Sequence, residues 1–351
     1  MDEGGVKLLL KKIIAVVLAL MLVYSAVGCS TLDIMKSLNS EEEEADDFAI
    51  IDDSIDSIGQ EATETDYNLG DNTEMRESVA YFEDDNGFII PVKAKIPWEE
   101  GIAKAVLKNL IKGSNLELQL NDAGLHGVIP EGTQILGMSI NEGLCKVDFS
   151  RNILNTDSYE AEKNMMTAIT YTLTEFSTIN NVKIMVEGEY LSSLSNGYTI
   201  DTAFERKNIN LFGREDGANF KVYYKNTDPD TTGLYVPITF TADSVDNPVN
   251  IVLKRLFNGP PADLPMTNQI PYGINYEGLK MEDGKVLIDL NMGALNLTQE
   301  EYDNMSQMVV LCFEQFDNIA EFDFLIEGMT FEEAGMELES NDVVPVFNEI
   351  N

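Results

Sequence analysis

Asp148 and Asp289 occupy the same place in two similar stretches of the chain, each closing an apolar alternation, Cys145-Lys146-Val147 and Val286-Leu287-Ile288. A carboxylate pair could support glycoside hydrolysis, one acid protonating the leaving oxygen while the other attacks or activates water. These two lie in different copies of a repeat, so each copy offers one acid and no evident partner. Each is therefore expected to accept backbone N–H bonds in the loop that follows. Glu187 and Glu327, each before a glycine at a strand end, read the same way. The one histidine, His126, falls in the polar, glycine-containing loop 121–127 and is expected to be a surface residue without a special role. Without a second histidine, Ser-His, Cys-His and histidine-rich zinc chemistry lack their main ingredients. Asn226, Asp228 and Asp230 begin like a calcium loop, but Thr231 stands where glycine is needed and Pro237 where glutamate is needed. No catalytic, metal or cofactor-binding residue is expected.

Three cysteines are too few for a disulfide framework. Cys145 and Cys312 fall on apolar faces and are expected as buried free thiols. Cys29 has a different setting. Lys7, Lys11 and Lys12 precede an apolar run, 13–23, and then the small residues Ser25, Ala26, Val27 and Gly28. That is the plan of an export signal, 1–28, and the run is too short for a confident spanning helix. Ala26-Val27-Gly28-Cys29 resembles a bacterial lipobox, with Ala26 where leucine is usual. The resemblance implies cleavage before Cys29 and a lipid on its sulfur. An uncleaved anchor helix with an incidental cysteine is the alternative; either way the remainder lies outside the cytoplasmic membrane.

The chain has 351 residues, enough for about two domains. Its 61 acids against 23 Lys and Arg give a formal charge of −38, a field that repels nucleic acid and bare anionic lipid. The acids are densest in 29–77, where Lys36 and Arg76 are the only cations. That segment cannot bury enough apolar surface to offset its ordering entropy, and is expected to be a disordered, self-repelling tether.

Comparison of the chain with itself shows the two copies. At an offset of 146, Gly87, Pro91, Leu107 and Gly113 match Gly233, Pro237, Leu253 and Gly259. At 141, Ile129-Pro130, Gly132, Gly143 and Asp148 match Ile270-Pro271, Gly273, Gly284 and Asp289. At 140, Met165, Phe176 and Glu187-Gly188 match Met305, Phe316 and Glu327-Gly328. Each copy reads β-β-α-β-β-α-β, an α+β unit whose small mixed or antiparallel sheet is covered by two helices. A hairpin turns at Asp85-Asn86-Gly87. The first helix is expected to stop at Gly113 or Gly259, and the second to start at a capping box, Asp157-x-x-Glu160 or Thr298-x-x-Glu301. Pro130–Gly132 and Pro271–Gly273 suit type II turns. Trp98 is expected to pack ahead of the first helix. The expected units are 78–212 and 213–351, the second with an acidic tail.

The stretches AKAVLKNLIKG (103–113), GVIPEGTQIL (127–136), CKVDFS (145–150) and TYTLTEFSTINNVKIMVEG (170–188) resemble the GerMN-domain family, with LKRLFNGP (253–260) carrying a more divergent second copy. The resemblance implies ring-building-motif-like domains, a spore-forming host and a role in sporulation and germination through contacts with envelope proteins. It brings no catalytic residue. The leading expectation is a non-catalytic scaffold, lipid-anchored through Cys29 on the outer face of the cell membrane. A module binding peptidoglycan or another wall polymer is the alternative, and would need an aromatic groove from Tyr81, Tyr223, Tyr224, Tyr272 and Tyr276. A wall hydrolase using Asp148 and Asp289 comes third.

Overall fold

Asp85-Asn86-Gly87 turns the chain between β1 (Met75–Asp84) and β2 (Ile89–Pro97), an antiparallel hairpin with Tyr81 opposite Pro91. A computed structural model describes residues 75–97, 101–227, 233–338 and 348–349, all within one unit, Ala49–Asn351. Cys29, the export signal, Trp98, Asp228, Asp230 and nearly all of the expected tether lie outside the described residues.

Helix α1 (Ile102–Lys108) buries Ala103, Ala105, Val106 and Leu107. It ends at Asn109 and not, as the sequence suggests, at Gly113. The cause is local: Asn109, Leu110 and Ile111 donate to carbonyls three residues back, and the Asn109 amide takes the Ala105 carbonyl at 3.1 Å. A second short helix, α2 (Asn115–Leu120), and β3 (Leu125–His126) follow, neither expected as a separate element. Strands β4 (Ile135–Asn141) and β5 (Leu144–Phe149) meet through a two-residue turn, Glu142 at φ 48° and Gly143 at φ 83°, the mirror-image geometry that fits strand twist. Helix α3 (Tyr159–Leu173) is capped by Ser158, whose hydroxyl accepts from Ala161 N at 3.1 Å. Asp157 stands one residue too early to reach that N–H. Strand β6 (Asn181–Val186) returns parallel to β5.

The second copy repeats the plan: β7 (Leu211–Phe212), β8 (Ala218–Asn226), β9 (Tyr235–Ala242), α4 (Pro248–Asn258), β10 (Met266–Thr267), β11 (Tyr276–Glu282), β12 (Lys285–Leu290), α5 (Gln299–Phe313), β13 (Glu321–Ile326) and β14 (Asn348–Glu349). Helix α4 starts at Asn247-Pro248 and stops at Gly259, φ 79°, as the sequence suggests. Helix α5 has the full reciprocal capping box of Thr298 and Glu301.

The α+β class holds, with one refinement: each copy divides its strands between two small sheets. They run β14-β2-β1-β3 and β4-β5-β6 in the first copy, β10-β8-β9-β7 and β11-β12-β13 in the second. The helix and Pro-x-Gly turn between the two hairpins carry the chain off the first sheet before β4 or β11 begins. Gly132, φ 76°, and Gly273, φ 91°, adopt the left-handed position of those type II turns. Cys145, Val147 and Phe149 are buried in one cluster with Met165, Met166 and Ile169. Val286, Ile288 and Leu290 are likewise buried with Met305, Met308 and Val309, and one apolar cluster runs through both copies. Burial of each such side chain contributes about 1.5–3 kcal/mol, so the α3 and α5 faces dominate their own attachment.

Candidate functional site

The largest constructed feature is the seam between the copies, where β2 meets β9. Pro91 and Pro237 have no N–H, so these two edges cannot zip together as a regular ladder. Two asparagines fill the gap. Asn210 Oδ1 accepts from Ile89 N at 2.8 Å, while its Nδ2 donates to Ile89 O and Pro237 O, both at 2.8 Å. Asn348 makes the reciprocal set: Oδ1 accepts from Tyr235 N at 2.7 Å, and Nδ2 donates to Tyr235 O at 2.9 Å and Pro91 O at 2.8 Å. Ile89 and Pro91 match Tyr235 and Pro237 at the offset of 146, so the two sets are copies of one another.

The strands beside these asparagines change partners in the same reciprocal way. Strand β7 follows the first copy yet lies parallel to β9, with Leu211 opposite Thr239. Strand β14 follows the second copy yet lies parallel to β2, with Asn348 opposite Val92. Each tail thereby covers an edge that would otherwise expose unpaired backbone groups. Neither asparagine was singled out from sequence, because both sit beyond the last Glu-Gly match. Extending the self-comparison into the connector and tail would have aligned them, 138 residues apart.

Beside the seam the Arg206 guanidinium pairs with Glu175 and lies 4.9 Å over the Tyr171 ring. Tyr81 donates its hydroxyl to the same Glu175 carboxylate at 2.8 Å. Burial pushes the Tyr171 phenol up to about 12 and the Tyr81 phenol above its usual range, so both remain neutral donors. Arg206 and Tyr171 hold the connector onto α3, and Tyr81 ties Glu175 to β1.

Asp148 and Asp289 each bind one turn. Asp148 Oδ1 accepts from Gly188 N at 3.0 Å and Asp289 Oδ1 from Gly328 N at 2.8 Å. The expectation of backbone bonding holds, but the bonded loop is the Glu-Gly turn 40 or 39 residues on, brought close by the parallel pairing of β5 with β6 and β12 with β13. Glu187, φ 53°, and Glu327, φ 47°, take left-handed positions in those turns. His126 is not in a plain loop: it pairs in β3, and its Nε2 lies 2.7 Å from Asp85 Oδ1. Cys145 and Cys312 are free and buried, and burial pushes both thiols up to about 12.

Sequence inspection missed Glu162, whose side chain is fully buried in α3. Its carboxylate accepts from Thr156 Oγ1 at 2.9 Å, Asn196 N at 2.7 Å and Tyr198 N at 3.0 Å, which ties loop 195–198 to the helix. Of the five tyrosines considered for a groove, Tyr81, Tyr223 and Tyr224 are buried and Tyr276 is half-buried, its hydroxyl donating to Asn250 Oδ1 at 2.7 Å. Tyr272 alone is fully exposed, so the five form no common surface. A cleft of about 380 Å³ under α4 is lined by Phe220, Phe240, Ile251, Lys254 and Arg255, with the Arg255 guanidinium 4.4 Å over Phe240. Among the described residues no three His, Cys, Asp or Glu side chains are grouped to hold a metal ion, and no helix is long and apolar enough to cross a membrane.

Both copies match the Germane family, described as sporulation and spore germination, at residues 79–192 and 221–332. The spore germination protein GerM of Bacillus subtilis (strain 168) is 27% identical over 250 residues, 68% of this chain and 66% of that protein, so the match spans just under two thirds of the relative's length. The solved tandem GerMN domains of the sporulation protein GerM from Bacillus subtilis share the fold, with a TM-score of 0.63 at 24% identity over 73% of this chain and 92% of that one. The family model spans both copies and most of the chain, and the chain is a member of the Germane family of sporulation and spore germination proteins.

Proposed function

We propose that the chain is a non-catalytic scaffold of sporulation and spore germination, held by a lipid on Cys29 at the outer face of the cell membrane, where it contacts envelope proteins. The observation that carries this reading is the seam. Two units are fixed in one arrangement by reciprocal asparagines, while the carboxylates best placed for chemistry are occupied in binding turns. Likeness to the spore germination protein GerM supports the cellular setting. A rigid two-unit body offers fixed surfaces to partners, which is what an assembly factor needs.

The test is complementation of a spore-forming host lacking the chain. Asp148→Asn with Asp289→Asn is expected to restore heat-resistant spores fully, because the amide oxygen still accepts the glycine N–H. Cys29→Ser is expected to release the chain from membranes and abolish function. A folded double-asparagine variant without function would overturn the scaffold reading in favour of a hydrolase.

A further inference from the structure

The two copies serve as each other's control, and they differ sharply at one place. The exit of β5 or β12, the Pro-x-Gly turn and the Glu-Gly turn converge at the same end of each three-stranded sheet. In the second copy, Asn291 Nδ2 donates to Gly273 O at 3.0 Å on one side, and Glu327 N donates to Leu290 O at 2.9 Å on the other. Three large apolar side chains stand exposed on these segments: Tyr272 at 106%, Met292 at 46% and Met329 at 38%. The matching residues of the first copy are Glu131, Arg151 and Glu189, and Arg151 lies 4.0 Å from Glu187. The first copy keeps Leu136 and Tyr190 exposed, and Lys183 Nζ lies 5.6 Å from the Tyr190 ring centroid.

The local structure at this end does not require apolar residues, since the same turns form with charged ones in the first copy. Exposed Tyr and Met grouped together are the composition of interface anchors. The surroundings define the partner. Segments 271–278, 289–297 and 326–335 contain Glu277, Asp289, Glu327, Glu332 and Glu333 and no Lys or Arg. A second copy of this strongly acidic chain and an anionic lipid surface are both repelled by such a rim.

We infer that the Tyr272–Met292–Met329 tip is the docking surface for an envelope protein that presents an apolar pocket rimmed by lysine and arginine. The inference rests on the scaffold reading and adds to it which end of which copy binds. Tyr272 is the anchor, since its ring projects free of the turn. The acidic rim steers and orients, so association weakens with salt.

The test places a photocrosslinking amino acid at position 272, and separately at 131, in the full chain expressed in sporulating cells. Crosslinked protein and glycan are both identified, and the residues crosslinked on the partner are mapped. Efficient crosslinking from 272 but not 131, to one protein through a lysine- and arginine-rimmed site, supports the proposal. The first copy's residues are then transplanted as Tyr272→Glu, Met292→Arg and Met329→Glu, with the photocrosslinker moved to Glu327. Yield from 327 is expected to fall at least about tenfold relative to the untransplanted tip, with the urea midpoint unchanged. Crosslinking to a second copy, or none above the level at 131, overturns the docking surface and leaves the scaffold reading standing. Crosslinking to wall glycan overturns both.

Discussion

Removing the Asn210 side chain tests whether the seam is held as described. Asn210→Ala deprives Ile89 N, Ile89 O and Pro237 O of partners that lie at 2.8 Å. One neutral hydrogen bond nets about 0.5–1.5 kcal/mol, so the three part-buried bonds together are worth about 1.5–4.5 kcal/mol. Asn210 also sits at φ 48°, where alanine costs about 1 kcal/mol more. Asn210→Gly removes the bonds without that strain and isolates the side-chain contribution. With a urea slope of roughly 3 kcal/mol per molar, a loss of about 3 kcal/mol lowers the midpoint by about 1 M. Asn348→Ala breaks the mirrored bonds and is expected to shift the midpoint by a similar amount. Because both asparagines join the same two strands, the double variant is expected to lose about 1 kcal/mol less than the sum. An Asn210→Gly shift below about 0.3 M, or strict additivity in the double variant, would refute the seam as the coupling element.

Asp84 offers a change already made by the sister copy. Its Oδ1 accepts from Asn86 N and Phe88 N, the Asn226 side chain lies beside its carboxylate, and burial raises its pKa above the usual carboxylate range. The native state therefore keeps this proton to higher pH than the unfolded chain does, and the associated stability, full at low pH, is lost as pH rises through the folded pKa. Asn226 holds the matching turn, accepting from Leu234 N at 2.8 Å. Asp84→Asn should accordingly flatten stability against pH, measured by urea titration at several pH values. Burial holds both thiols protonated and out of reach of reagent, so Cys145 and Cys312 should resist alkylation until urea unfolds the chain. Glu162→Gln leaves one accepting oxygen where two are used, so an amide nitrogen meets either Asn196 N or Tyr198 N, and should cost about 2–3 kcal/mol in thermal unfolding, with loop 195–198 cut first by protease.

Much of the fold was legible because it rests on short-range chemistry. The Asp85-Asn86-Gly87 turn, the two Pro-x-Gly turns, the Gly259 stop and the Thr298 capping box depend on residues within four positions of one another, and all appear where expected. The errors came where long-range contacts or local competition decided. Asn109 and Ser114 close α1 early, which a scan for glycine stops does not detect. The aspartates' acceptor role followed from their position after an apolar strand, but their partner turns follow from parallel pairing that no local pattern encodes. The seam asparagines can be aligned with each other by self-comparison, but their role lies in strands more than a hundred residues away. At the tip, alignment of the two copies identified equivalent residues, but only exposure separated surface Tyr272 from the buried tyrosines.

The exchange of tails makes two copies joined by a linker equivalent to a homodimer written as one polypeptide. Its stoichiometry is fixed by the gene, so it does not dissociate on dilution. A true homodimer must display every surface twice; this chain is free to alter one half alone. Glu131 opposite Tyr272 and Arg151 opposite Met292 are such one-sided changes. A symmetric frame can thus present a single, unrepeated face and bind one partner per molecule.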